Sequence, residues 1–278
     1  MTRLPTMFSC RRKAATALAA ALLAACFAPL APAAEFAVAV SPPRFELQMK
    51  PGERSRQVLE ISNASAEPTR LSVKTADWSL GAGDSVVFYD ELQPGSCRPS
   101  VILERREVIV SGNQPFRFRF EVEAPADALP GECRFAIMFE GDEQVSRAQG
   151  GLAIPFSARL GVIVYAAFGG AAPNLSVVGS GVQNINGLQT PVLQVRNSGA
   201  AHGRLAGFLS GTDAGGTRLE FTPASMPILA GETRAIALNA SRPGDTDTAV
   251  QVRFPVTISG KLEWGKDQTQ SIEQRFAP

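Results

Sequence analysis

The side chains that most often do chemistry are sparse in this chain. Among 278 residues there is one histidine, His202, and there are four cysteines, Cys10, Cys26, Cys97 and Cys133. Zinc hydrolysis needs clustered histidines such as His-Glu-x-x-His. Dithiol exchange needs Cys-x-x-Cys, many acyl transfers use Gly-x-Ser-x-Gly, and phosphoryl transfer uses a glycine-rich phosphate loop. None of these patterns occurs. His202 falls in a turn between two apolar runs and reads as a surface residue. Carboxylates are frequent but alternate with apolar neighbours, the pattern of a wetted sheet face rather than of a paired acid and base. The chain is read as a non-enzyme with no metal and no cofactor.

The cysteines and the N-terminus speak to compartment. Arg11, Arg12 and Lys13 precede an apolar run of twelve residues, 14–25, and Leu30-Ala-Pro-Ala-Ala34 supplies a small-residue exit. Twelve residues are too few for a membrane-spanning helix, which needs about 20. Residues 1–34 therefore read as a signal peptide cut after Ala33 or Ala34, placing the protein in the periplasm. Leu23-Ala-Ala-Cys26 offers an alternative, since it resembles a bacterial lipobox that would anchor the protein by a lipid on Cys26. Beyond the leader only Cys97 and Cys133 remain. In an oxidising compartment they read as a disulfide, with two separately buried thiols as the alternative. Loss of the leader turns a formal charge of +1 into 23 basic against 26 acidic residues, net −3. No concentrated basic face suggests nucleic acid, and no later apolar run is long enough to be a transmembrane segment.

The elements that position these residues are strands. Phe116-Arg-Phe-Arg-Phe-Glu-Val-Glu123 alternates over eight residues, with Phe116, Phe118, Phe120 and Val122 toward a core and Arg117, Arg119, Glu121 and Glu123 toward water. Residues 36–49 read as one edge strand kinked at Pro42-Pro43. Residues 141–151 read as a polar connection and 152–165 as one long strand. Two stretches, 58–71 and 192–205, agree at six of fourteen positions without a gap: Val, Leu, Asn, Ala, Arg and Leu. Each is a strand, a turn and the start of another strand, so a β corner is repeated 134 residues on. The sequence therefore implies an all-β fold of two tandem immunoglobulin-like β-sandwich domains. The first spans 35–168, a linker spans 169–173 and the second domain spans 174–278.

Ser41-Pro-Pro-Arg-Phe-Glu-Leu47, Glu60-Ile-Ser-Asn63 with Pro68 five residues on, Ala76-Asp-Trp78 and Leu129-Pro-Gly-Glu-Cys-Arg-Phe135 resemble, in order and spacing, the periplasmic chaperones of pilus assembly by the chaperone and usher pathway. Gly260-Lys-Leu-Glu-Trp264 extends the resemblance to the second domain. It implies a chaperone that lends a strand to pilin-like secreted subunits by donor-strand complementation, with an outer-membrane usher as a further partner. Leu152, Ile154 and Phe156 are the donor residues it implies. It also implies two cations in a cleft that anchor a subunit's terminal carboxylate. Arg44 carries over to the first. Counting back from Tyr165, the second position falls on Val162, which is not basic, and Arg159 is the nearest cation. The alternative function is an envelope structural or adhesive protein, lipid-anchored at Cys26.

Overall fold

The computed structural model describes residues 37–81, 85–142, 144–147, 153–245, 248 and 250–278. Over these the fold is all-β, with one short 3-10 turn at Arg98–Ser100. The first set of strands is β1 (Val38–Ser41), β2 (Arg44–Met49), β3 (Arg54–Asn63), β4 (Thr69–Leu80), β5 (Val86–Tyr89), β6 (Val101–Leu103), β7 (Glu107–Val110), β8 (Phe116–Glu123), β9 (Gly131–Gly141), β10 (Gln144–Arg147), β11 (Ala153–Phe156) and β12 (Arg159–Phe168). One sheet runs β1-β3-β8-β6. A second runs β2-β12-β9-β4-β5, with β7 also paired to β4.

The two sheets face each other through β8. Phe118 and Phe120 are buried, and each meets a ring of the opposite sheet edge to face: Phe118 with Phe139 at 5.4 Å, Phe120 with Phe45 at 5.1 Å. The perpendicular arrangement matches ring edges to ring faces. The other face of β8 is wet, and there Arg54 lies opposite Glu123 and Arg56 opposite Glu121, with ion pairs at 3.2 and 2.7 Å. One alternating octet therefore supplies both a core and a cross-strand charge ladder.

The first set departs from the sequence pattern in three places. Residues 38–49 are two strands in two sheets: β1 pairs with β3 in one, while β2 runs parallel to β12 in the other. The chain crosses between sheets at the cis Ser41-Pro42 bond and Pro43. Prolines remove the ladder donors at that step, so pairing stops in one sheet before it resumes in the other. The run 152–165 is likewise two strands, β11 and β12, separated by Ser157 and Ala158. The connection 141–151 contains β10, which forms an antiparallel hairpin with β11, Gln144 opposite Phe156 and Arg147 opposite Ala153. That hairpin belongs to a compact unit separate from the remaining strands.

The second set is β13 (Leu175–Ile185), β14 (Leu188–Asn197), β15 (Ala206–Thr212), β16 (Arg218–Pro223), β17 (Thr233–Ser241), β18 (Val256–Trp264) and β19 (Gln268–Phe276). These form one path, β13-β14-β17-β16-β15-β18-β19. The path encloses a single core in which Leu193, Phe221, Ile236, Leu238, Ile258 and Leu262 are fully buried. β13 and β14 turn at Asn186-Gly187, both at positive φ, the pair of left-handed residues that a two-residue hairpin requires. Among the described residues, strands up to Phe168 pair only with one another, as do those from Leu175 onward.

The repeated sequence is a repeated structure. In the first copy Asn63 is buried; its Nδ2 donates to the carbonyls of Glu67 at 2.8 Å and Val110 at 3.1 Å, and its Oδ1 accepts from the Ser65 amide at 3.0 Å. In the second copy Asn197 Nδ2 donates to Ala201 and Ile228, both at 2.8 Å, and Oδ1 accepts from the Gly199 amide at 2.9 Å. Each side chain closes its turn at residue i+4 and ties it to the neighbouring loop or strand.

Candidate functional site

The corner held by Asn197 projects three side chains, Ala201, His202 and Arg204, with different fates. Ala201 is buried with Ala167 of β12 and Ala171 of the intervening segment. His202 and, two residues on, Arg204 enter a concavity of about 330 Å³ lined also by Arg44, Glu46, Glu132 and Tyr165. The cleft thus takes side chains from β2, β9 and β12 on one side and from the Asn197 corner on the other.

His202 is buried, not a surface residue as its turn position suggests. Its ring stacks on Tyr165 with centroids 3.7 Å apart and planes 22° from parallel. Nδ1 lies 2.6 Å from Glu132 Oε2, and the His202 backbone amide donates to the same oxygen at 3.1 Å. On the far side of the ring, Arg204 Nη1 lies 2.9 Å from Nε2, and Glu46 Oε1 is 3.5 Å from it. Burial pushes the imidazole pKa down, but the Glu132 and Glu46 carboxylates outweigh it, and the pKa stands above the ordinary histidine value.

Tyr165 sits beneath this group because β12 alternates. Val162 and Val164 are fully buried, whereas Ile163 and Tyr165 pack on the other face with Ala76, Trp78, Ala136 and Met138, and Leu229 of the second strand set joins them. Trp78 meets Tyr165 edge to face at 5.4 Å and anchors its own indole N–H on the Phe135 carbonyl at 3.1 Å. Burial raises the Tyr165 phenol pKa, so the hydroxyl stays protonated and accepts from Arg204 Nη2 at 3.4 Å.

Glu46 is the hub. Its Oε1 accepts from Arg44 Nε at 2.8 Å and from Arg204 Nη1 at 2.7 Å. The close approach of the His202 ring at 3.5 Å, together with positive charge from His202, Arg204 and Arg44, overcomes burial and holds the Glu46 pKa at about 2. Two guanidiniums, one from each strand set, therefore converge on one carboxylate oxygen.

Arg44 lies in this cleft, on β2 opposite Ile163 of β12. Arg159 is elsewhere: it pairs with Glu140 at 2.5 Å and Asp90 at 3.9 Å, while Lys74 holds the same two carboxylates at 3.1 and 3.0 Å. It shares no lining with Arg44, and the second guanidinium of the cleft comes from Arg204. Val162 points into the core, where a cation would lack a partner. Of the donor residues, Leu152 lies outside the described residues, and Ile154 and Phe156 lie in β11. Cys97 and Cys133 are joined, Cα atoms 5.6 Å apart, tying the segment before the 3-10 turn to β9. That segment is held a second time by Asp77, which accepts from the Gln93 amide at 2.8 Å and the Ser96 hydroxyl at 2.6 Å.

Glu46, Glu132, Tyr165, His202 and Arg204 were not legible as a group. Glu46 ends the run Pro42-Pro-Arg-Phe-Glu46 and Tyr165 lies within an apolar stretch, yet no local pattern links either to His202.

No protein-family model matches the chain, and no curated protein matches it. Solved structures do. The chain is similar to the Pseudomonas aeruginosa CupB2 chaperone, at 11% identity over 86% of this chain and 100% of that one, TM-score 0.44. It is similar to the E. coli chaperone DraB at 13% identity over 86% and 99%, TM-score 0.44. It is also similar, at 13% identity over 86% and 97%, TM-score 0.48, to a chain of the Salmonella enterica SafA pilin in complex with the SafB chaperone.

Proposed function

We propose that this protein is a periplasmic assembly chaperone that binds pilin-like or tip-adhesin subunits by strand addition and takes the subunit's terminal carboxylate in the cleft at Arg44 and Arg204. One observation carries the reading. Two guanidiniums from the two strand sets meet on a single carboxylate oxygen of Glu46, so the cleft already has the geometry that receives a carboxylate. An incomplete subunit sandwich exposes an unpaired edge and an apolar groove, and a donated strand covers both. Leu152, Ile154 and Phe156 are the proposed donors. On this reading residues 1–34 are the export signal, 35–168 and 174–278 the two domains, and the chain performs no catalysis.

Co-expression with a pilin-like subunit tests the reading, with soluble subunit measured against a chaperone-free control. The triple change Leu152→Asp, Ile154→Asp and Phe156→Asp is expected to abolish recovery, and Arg44→Ala to reduce it severalfold. Undiminished soluble subunit with the triple variant refutes strand donation. Loss of envelope retention in Cys26→Ser would instead favour a lipid-anchored envelope protein.

A further inference from the structure

His202 links the two strand sets through a hydrogen-bond pattern that one proton would reorganise. Nδ1 must carry a hydrogen, because it faces Glu132 Oε2 at 2.6 Å and a carboxylate only accepts. With Nδ1–H in place and the ring neutral, Nε2 is an acceptor. Arg204 Nη1 then donates one hydrogen to Nε2 at 2.9 Å and its other to Glu46 Oε1 at 2.7 Å. Both contacts are satisfied together.

Protonation breaks that arrangement. An imidazolium has hydrogens on both nitrogens, so Nε2–H and Arg204 Nη1–H become two donors, both on cations, facing each other across 2.9 Å. The nearest acceptor for Nε2–H is Glu46 Oε1, already 3.5 Å away, and a shift of about 0.6 Å brings it into hydrogen-bond range. Every charged or titratable group packed on the ring enters the balance. Glu132 on β9 and Glu46 on β2 favour the cation, Arg204 beside it and Arg44 behind Glu46 oppose it, and Tyr165 on β12 contributes a neutral phenol face.

We propose that His202 is a proton-operated gate on the cleft: its protonation exchanges the partner of Glu46 from Arg204 to His202 and releases the Arg204 guanidinium to bind an incoming carboxylate. The exchange raises the net charge of the cleft by one. An α-carboxylate, with an ordinary pKa near 3.5, stays ionised throughout the range in which histidine titrates. The ligand class is therefore a C-terminal carboxylate, and this part of the inference rests on the reading of the cleft given above. The gate itself rests only on the ring, its two carboxylates and Arg204.

The chain has one histidine, so imidazole NMR signals need no assignment by mutation. The mature protein would be titrated from pH 8.5 to 5.5, observing the His202 ring and the Arg204 guanidinium. In parallel, calorimetry would measure a short peptide with a free C-terminus and its amidated form at pH 8 and pH 5.5. The gate predicts that the Arg204 signals shift with the His202 midpoint, and that the free-acid peptide binds at least fivefold tighter at pH 5.5 while the amide shows no such gain. In Glu46→Gln the free-acid peptide should bind with the same affinity at both pH values. Arg204 signals that ignore the His202 titration overturn the gate, as does pH-independent binding of the free acid by the unaltered protein. Coupled NMR titrations with no peptide bound at either pH would uphold the gate and refute the carboxylate reading of the cleft. Circular dichroism of Glu46→Gln verifies its fold, and the NMR arm uses the unaltered chain.

Discussion

Replacing Asn197 with alanine should be among the most damaging single changes outside the apolar core. The Asn197 side chain is fully buried and makes four hydrogen bonds: Nδ2 to the carbonyls of Ala201 and Ile228, and Oδ1 from the amides of Gly199 and Asn174. Alanine removes the partner and leaves four backbone groups behind. A buried polar group left unpaired costs about 1–3 kcal/mol. Two of the four lie at the half-buried turn and can recruit water. The expected loss is therefore about 3–5 kcal/mol, a large share of the 5–15 kcal/mol by which domains are usually stable. Urea unfolding followed by tryptophan fluorescence measures it through the midpoint. Asn197→Asp keeps the shape but faces two carbonyls with an oxygen, so it should be no better than alanine. The same corner places His202, so stacking on Tyr165 should loosen in the folded fraction, seen as an upfield ring shift lost from the imidazole. A midpoint shift equivalent to less than 1 kcal/mol for Asn197→Ala would refute the view that this side chain closes the corner.

Three further outcomes follow from the bonds described. Joint replacement of Cys97 and Cys133 by serine opens a loop with a sequence separation of 36, which chain entropy values at about 4 kcal/mol, read as a lower thermal midpoint than the oxidised protein. Glu46, with its folded pKa lowered to about 2 from 4.5, binds fewer protons folded than unfolded between those values. Its stabilisation is thus complete above pH 4.5 and lost as the pH falls toward 2. Because the group is half exposed, solvent screening reduces the contribution to about 1–2 kcal/mol. Glu46→Gln should flatten the acid limb of urea midpoints by that amount, and an acid limb parallel to the unaltered protein's would contradict it. His202 has the opposite sign: its pKa is raised, so its contribution is present below about 6.5 and fades as pH rises through the folded value.

Features written in contiguous residues were legible in the sequence, and features written across distance were not. The octet 116–123 shows its strand, its core face and its wet face because all three follow from a period of two. The repeated corner was visible because Asn63 and Asn197 each satisfy a turn only four residues long. The Asn186-Gly187 turn is a contiguous signal, but the run after Val178 that leads into it is polar and glycine-rich and lacks the alternation that marks a strand. The crossing at Ser41-Pro42-Pro43 reads locally as a kink. Which sheet receives β2 is decided by β12, more than a hundred residues away. His202 is the sharpest case: its carboxylate partner Glu132 lies 70 positions off, and the Arg204 to Glu46 bond spans 158. A lone histidine in a polar turn carries no trace of either.

The distribution of charge bears on what an anchor in this cleft could do. Arg44 and Arg204 share Glu46, and Arg159 shares Glu140 and Asp90 with Lys74. Each of these cations already has a carboxylate of its own chain. With His202 neutral, an arriving carboxylate at Arg44 and Arg204 would exchange one ion pair for another, with little net Coulomb gain in a half-exposed site. What such an exchange fixes is position, because a guanidinium fork accepts a carboxylate in few orientations. A subunit held there would have its last residue placed against β2 and β12, and strand pairing upstream would then start in one register, where a one-residue slip would turn every side chain to the wrong face. Affinity on this view comes from the donated strand and register from the cleft. Substitution of Arg44 should therefore scatter the register of a bound strand before it abolishes binding, an effect that cysteine cross-linking at successive strand positions would resolve.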